Sequence, residues 1–171
     1  NNNIFSNKGL KMKKISLVLV GILGASVLNA GQMNQDNLNK YLNDLQEFKE
    51  FLQIPKSDDD MAKSSWVKYI FFGTIPNAFK EAITNDDDKS FDKILKKIDE
   101  IIIAGKKISF KDIQNATNIE IGEFIVDNNA TNCLKILGNT NYKFDENLTQ
   151  YAVDKKANEK IIEYLRSKIK K

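Results

Sequence analysis

"AITNDDDKSFDKIL" occupies residues 82–95 and "AVDKKANEKIIEYL" occupies residues 152–165. Each opens on a small and an apolar residue, crosses a polar turn and closes on apolar residues. Downstream of the first turn, Phe91, Ile94, Leu95, Ile98 and Ile102 recur in steps of three and four, the period of one helix face. Both stretches therefore read as helix, turn, helix. A third, "EFIVDNNATNCLKIL" at residues 123–137, has the same outline. With the closing leucines Leu95, Leu137 and Leu165 aligned, Ile94, Ile136 and Tyr164 fall one residue earlier. Ala82, Phe124 and Ala152 fall thirteen earlier. One short hairpin cannot bury its apolar face alone, whereas neighbours in a stack can. The expected fold is all-α, a stack of helical hairpins forming a short solenoid, with an irregular helical bundle as the alternative.

Outward from these stretches the chain stays helical in pattern. Leu38, Leu42, Leu45, Phe48 and Leu52 predict an amphipathic helix over about 34–53, stopped by Pro55. Ser57 and the acids Asp58, Asp59 and Asp60 suit the start of a second helix, where free N–H groups favour oxygen acceptors. Its end, with Trp66, Val67, Tyr69, Ile70, Phe71 and Phe72, is apolar nearly all round and is expected in the core, with Gly73 ending it. Thr74 and Pro76 open a third helix. A fourth runs over about 89–104 with Gly105 as its C-cap, so that "IIIAG" reads as helix and no strand is expected. "SFKD" at 109–112 resembles a capping box. Further helices are expected at 110–116, 119–128, 131–137, 147–155 and 158–169, with Gly138 ending the third of these and "GNTNYKFDEN" as a loop.

The last hairpin, "LTQYAVDKKANEKIIEYL", resembles the inner helix, turn and outer helix of the ankyrin-repeat family, and the two earlier stretches resemble it more weakly. The resemblance spans residues 78–169. It departs from the family in lacking the "TPLH" tetrapeptide, in unit spacings of 42 and then 28 residues, and in a turn-to-helix step about one residue too long. What the resemblance implies is a non-catalytic surface that binds other proteins.

The N-terminal part has a different character. Lys13 and Lys14 precede an apolar run from Ile15 to Leu28, and small residues end at Ala30. This order is that of a secretory signal peptide, and the run is shorter than the roughly 20 apolar residues a membrane span needs. Residues 1–30 thus read as an upstream extension plus signal, 31–73 as an N-terminal helical hairpin and 74–171 as the hairpin repeats. The 26 Lys and Arg, less the four Lys of residues 1–30, leave 22 against 23 acids, a net charge of −1. That balance, with a single Arg (Arg166), is not that of a nucleic-acid binder. With its 20 Asn and its short Lys-Lys leader, the chain is expected to be an exported bacterial protein, periplasmic or secreted, with no stable membrane insertion after cleavage.

The residue inventory narrows the chemistry. There is no His, so Ser-His and Cys-His nucleophiles and His-ligated metals are excluded. Cys133 is the only cysteine, allows no internal disulfide, and reads as a small buried hydrophobe. The triplets 58–60 and 86–88 read as exposed helix caps. Neither fits a calcium loop, since Lys63 or Phe91 stands where that loop needs Gly. No catalytic residue, metal ligand or cofactor is expected. The function expected is protein–protein interaction, with a small periplasmic helical-bundle enzyme or inhibitor as the alternative. The candidate contact residues lie in the three turns: Asn85, Asp86 and Asp88; Asn128 and Asn129; Lys155 and Lys156.

Overall fold

Helix α1 (Gln35–Gln53) opens the computed structural model, which describes residues 31–54 and 60–169. The leader at 1–30, Pro55 and the cap residues Ser57, Asp58 and Asp59 lie outside the described residues. Asn34 caps α1, its side chain accepting the Asn37 N–H at 3.0 Å. Leu38, Leu45 and Phe48 form its buried face.

Helix α2 (Asp60–Tyr69) does not stop at Gly73. It passes through a π-turn (Ile70–Thr74) directly into α3 (Ile75–Thr84), and the Ile75 N–H bonds to the Ile70 carbonyl. The cause is Pro76. It has no N–H to donate, and in a regular α-helix its ring would strike the carbonyl four residues back. The wider turn makes room. The boundary expected at Gly73 therefore falls inside one helical run. That run is also not buried all round: Ile70 and Phe71 are in the core, but Tyr69 is 46 % and Phe72 65 % exposed. Its packed side meets α1, α3 and a later helix, and the other side meets solvent.

Helix α4 (Asp88–Asp99) buries Ser90, Phe91, Ile94, Leu95 and Ile98, and ends five residues before the expected Ala104. Residues expected as helix instead form a small ribbon, β1 (Ile102–Ile103) antiparallel to β2 (Lys106–Lys107), pairing Ile102 with Lys107 and Ile103 with Lys106. Ala104 (φ 49°) and Gly105 (φ 78°) make its two-residue turn, so Gly105 is a hairpin residue and not a helix C-cap. Consecutive β-branched isoleucines crowd a helix but suit an extended chain. Ile101 is fully buried as the chain leaves α4.

Helix α5 (Phe110–Thr117) starts with the expected capping box of Ser109 and Asp112. Four helices complete the chain: α6 (Ile121–Asp127), α7 (Thr131–Leu137), α8 (Glu146–Asp154) and α9 (Glu159–Ile169). The described residues are all-α apart from the ribbon.

Helices α3/α4, α6/α7 and α8/α9 are three hairpins. The first helices pack α3 on α6 and α6 on α8, and the second helices pack α4 on α7 and α7 on α9. Helix α1 lies across α3 and α4. The core between the layers includes Phe79, Ile83, Phe91, Ile125, Leu134, Leu137, Ile161 and Leu165. The three turns share one geometry. Asp87, Ala130 and Ala157 donate their N–H to the carbonyls of Ala82, Ile125 and Ala152 at 2.9, 3.0 and 2.9 Å. Asp86, Asn129 and Lys156, one residue earlier, are left-handed with φ of 48°, 49° and 54°. This is the Schellman closure of a helix. It corrects the sequence register of the second hairpin, where Ile125, not Phe124, matches Ala82 and Ala152.

Candidate functional site

The turn edge holds the seven candidate residues. At its first position, the Asn85 and Asn128 side-chain amides donate to the carbonyls of Glu81 and Phe124 at 2.7 and 2.8 Å. Lys155, the third equivalent, lies over the Tyr151 ring at 5.3 Å. At the next position, the Asp86 carboxylate accepts the backbone N–H of Asn132 and of Cys133 and the Asn132 side-chain amide, each at 2.9 Å. Asn129 repeats this across the next junction, its Oδ1 accepting the Asn158 N–H at 2.8 Å. Asp86 and Asn129 thus each tether the start of the next hairpin's second helix. Lys156, the third equivalent, is a donor-only side chain and is exposed. Asp88 lies half-buried in the first turn of α4. The structure brings the three turns together along one edge. It gives Asn85, Asp86, Asn128 and Asn129 internal partners.

Asp87 is not the exposed cap its sequence suggests. It is 4 % exposed and accepts the Ser90 N–H at 3.0 Å, the Ser90 hydroxyl at 2.7 Å and the Met33 N–H at 3.0 Å. Burial pushes its carboxyl up, but these hydrogen bonds outweigh that and hold it below the usual carboxylate range. Glu81 does similar work on α3, accepting from the Asn37 amide at 3.1 Å and from the Tyr41 hydroxyl at 3.2 Å and so holding α1 in place. Burial and then Glu81 push Tyr41 up to about 12. Cys133 is fully buried, its Sγ 3.7 Å from the Ala82 carbonyl oxygen, and burial and then Asp86 push the thiol up. Its place is that of a packed small side chain.

A second surface lies at the opposite end of α6 and α8, where sequence reasoning placed only a loop. A half-open cleft of about 710 Å³ runs between α5 and segment 141–148. Phe110, Ile121, Tyr142 and Leu148 give it apolar surface. Tyr142 is central. Its hydroxyl donates to Glu120 Oε1, while Glu120 Oε2 accepts the Glu123 N–H at 2.6 Å, so one carboxylate caps α6 and anchors the loop. Burial, then the Glu120 hydrogen bond, push the Tyr142 phenol up. A Cβ on Gly122 would lie 2.6 Å from both the Tyr142 hydroxyl oxygen and Leu148 Cδ2, so a larger residue there would have to push one or both side chains aside. Edge-to-face rings continue from Phe110 to Tyr142, Phe144 and Tyr164 at 5.4, 5.0 and 6.3 Å, binding α5 to α9 through the loop. The only sequence signals for this site were Gly122 inside a helical pattern and two aromatics in a polar loop.

Among the described residues no group of three or more His, Cys, Asp or Glu is placed to hold a metal ion, and no helix is long and apolar enough to cross a membrane. Comparison of the chain with protein-family models, with curated proteins and with solved structures yields no match.

Proposed function

We propose that the protein is an exported, non-catalytic module that binds another protein, built on degenerate ankyrin-like hairpins. The observation that carries the reading is the repeated turn. Three hairpins close on the same hydrogen bonds, with a left-handed residue at the same position, and two of those residues reach into the next hairpin. Stacking of this kind makes a rigid body whose loops can be presented to a partner without disturbing the core. Export rests on the order of Lys13, Lys14, the apolar run and Ala30.

Two measurements test the reading. Photo-reactive residues at Lys156 on the turn edge and at Lys143 on the cleft, with Lys40 on α1 as control, are to be irradiated in envelope extract of the parent cell. Discrete protein adducts at one of the two faces and none at Lys40 are expected. Label spread evenly over all three positions defeats the reading. Intact mass of the exported chain should correspond to a start at or near Gly31, and a mass retaining residues 13–30 would instead mean a tethered protein.

A further inference from the structure

We propose that the cleft between α5 and segment 141–148 binds a neutral oligosaccharide. The inference is independent of the protein-binding reading and adds a second kind of ligand. A half-open cleft of about 710 Å³ lies within the range of ligand sites, about 300–1,000 Å³, and the chemistry of its lining selects the ligand class. The lining holds three carboxylates, Glu120, Glu123 and Asp145, and two ammonium groups, Lys111 and Lys143. Glu120 is occupied by the Tyr142 hydroxyl and the Glu123 N–H, and Asp145 accepts the Leu148 N–H at 2.9 Å. The Glu123 carboxylate and both lysines have no hydrogen bond or ion pair among the described residues. Neither sign dominates, so the cleft does not select a ligand by net charge.

The polar groups suit hydroxyls. Gln114, Asn115, Asn141 and Asn147 are exposed along the cleft, four carboxamides that each donate and accept. A hydroxyl does both as well, so it bonds equally to a carboxamide, an ammonium group or a carboxylate. Lys111, Gln114 and Asn115, in steps of three and four, share one face of α5, so that helix presents a row of such groups. The apolar part suits the rest of a sugar. A pyranose ring carries hydroxyls round its rim and C–H bonds on its faces. Phe110 and Tyr142, edge-to-face at 5.4 Å, supply ring surface on which such a face packs, and Ile121 and Leu148 extend it. Glu120 holds Tyr142 in place, so this surface is formed before a ligand arrives.

The test is titration calorimetry of the full chain at low and at physiological salt. The neutral probes are maltotriose, cellotriose and triacetylchitotriose. Trigalacturonate serves as the acidic probe and deacetylated chitotriose as the cationic one. Binding of at least one neutral trisaccharide is expected, unchanged by salt because the ligand carries no charge. The variant Gln114→Ala, Asn141→Ala should weaken it about tenfold, the loss of two hydrogen bonds. It should keep the parent far-ultraviolet spectrum, because both residues are exposed. Lys40→Ala, on α1, should leave the affinity unchanged. Preference for the acidic or the cationic probe, or binding that salt weakens, overturns the neutral chemistry. Neutral binding that the double variant retains in full overturns the cleft as the seat. No binding to any probe overturns the proposal and leaves the protein-binding reading standing.

Discussion

Asp86 joins the first hairpin to the second through its side chain. It adopts a left-handed backbone that costs an ordinary side chain roughly 1–2 kcal/mol, and it returns this by accepting N–H groups at the start of α7. Asp86→Ala leaves those donors without a side-chain acceptor and should lower stability by about 1–3 kcal/mol in urea unfolding, with Asp86→Asn losing less because an acceptor remains. Lys156→Ala, at the exposed third equivalent, should change stability by about 0.5 kcal/mol or less. Equal losses at the two positions would mean that the tether contributes nothing. Asp87 adds a pH dependence. Its folded carboxyl titrates below the ordinary aspartate value of about 3.9, so the ionised form is the one the fold favours. Its contribution is complete above that value and is lost as pH falls through the folded one. The parent chain should therefore lose stability on acidification below about pH 4 more steeply than Asp87→Asn, measured by urea midpoints across pH 2–6.

The elements depend on where the layers meet. Leu95, Leu137 and Leu165 lie in the second helices of the three hairpins, α4, α7 and α9, and are 9 %, 0 % and 0 % exposed. Truncating each to Ala should cost about 2–5 kcal/mol, with Leu95 at the low end because it is the least enclosed. Gly138 makes a different point. It was expected only as a helix stop, and its backbone is ordinary helical at φ −66°. What requires Gly is space: an added Cβ would lie 1.8 Å from the Tyr164 hydroxyl oxygen and 2.9 Å from the ring. Gly138→Ala must displace Tyr164 from its contacts with Phe144, and should cost about 1–3 kcal/mol. Loss of near-ultraviolet tyrosine ellipticity without loss of helix signal would confirm that the ring, not the helix, has moved.

At the scale of the whole molecule, the stack is joined by side chains that cross between hairpins and by the aromatic row from α5 to α9. The described chain beyond Gly31 behaves as one compact unit. A single cooperative unfolding transition is expected, coincident by far-ultraviolet ellipticity and Trp66 fluorescence, even though Trp66 reports only on the first part of the chain through its stacking on Phe48 and Phe51. Two separated transitions would show that α1–α2 and the hairpins unfold independently. Chelator and reductant should leave the midpoint unchanged, since Cys133 is unpaired and packed among apolar residues.

The apolar periods of three and four by themselves determined the helices and the hairpin outline, because burying one helix face needs little beyond the spacing of side chains. Local chemistry was equally legible where it acts within one turn, as in the Ser109–Asp112 box. Tertiary structure decided whatever depends on a neighbour distant in sequence. It turned residues 102–107 into a ribbon, carried the chain through Gly73 in a π-turn, and shifted the second hairpin by one residue to Ile125. It also buried Asp87 beneath Met33, 54 residues away. The cleft belongs to this second class. Phe110 and Tyr142 lie 32 residues apart in the sequence, and line one cleft because Tyr142 docks on Glu120 beside Gly122.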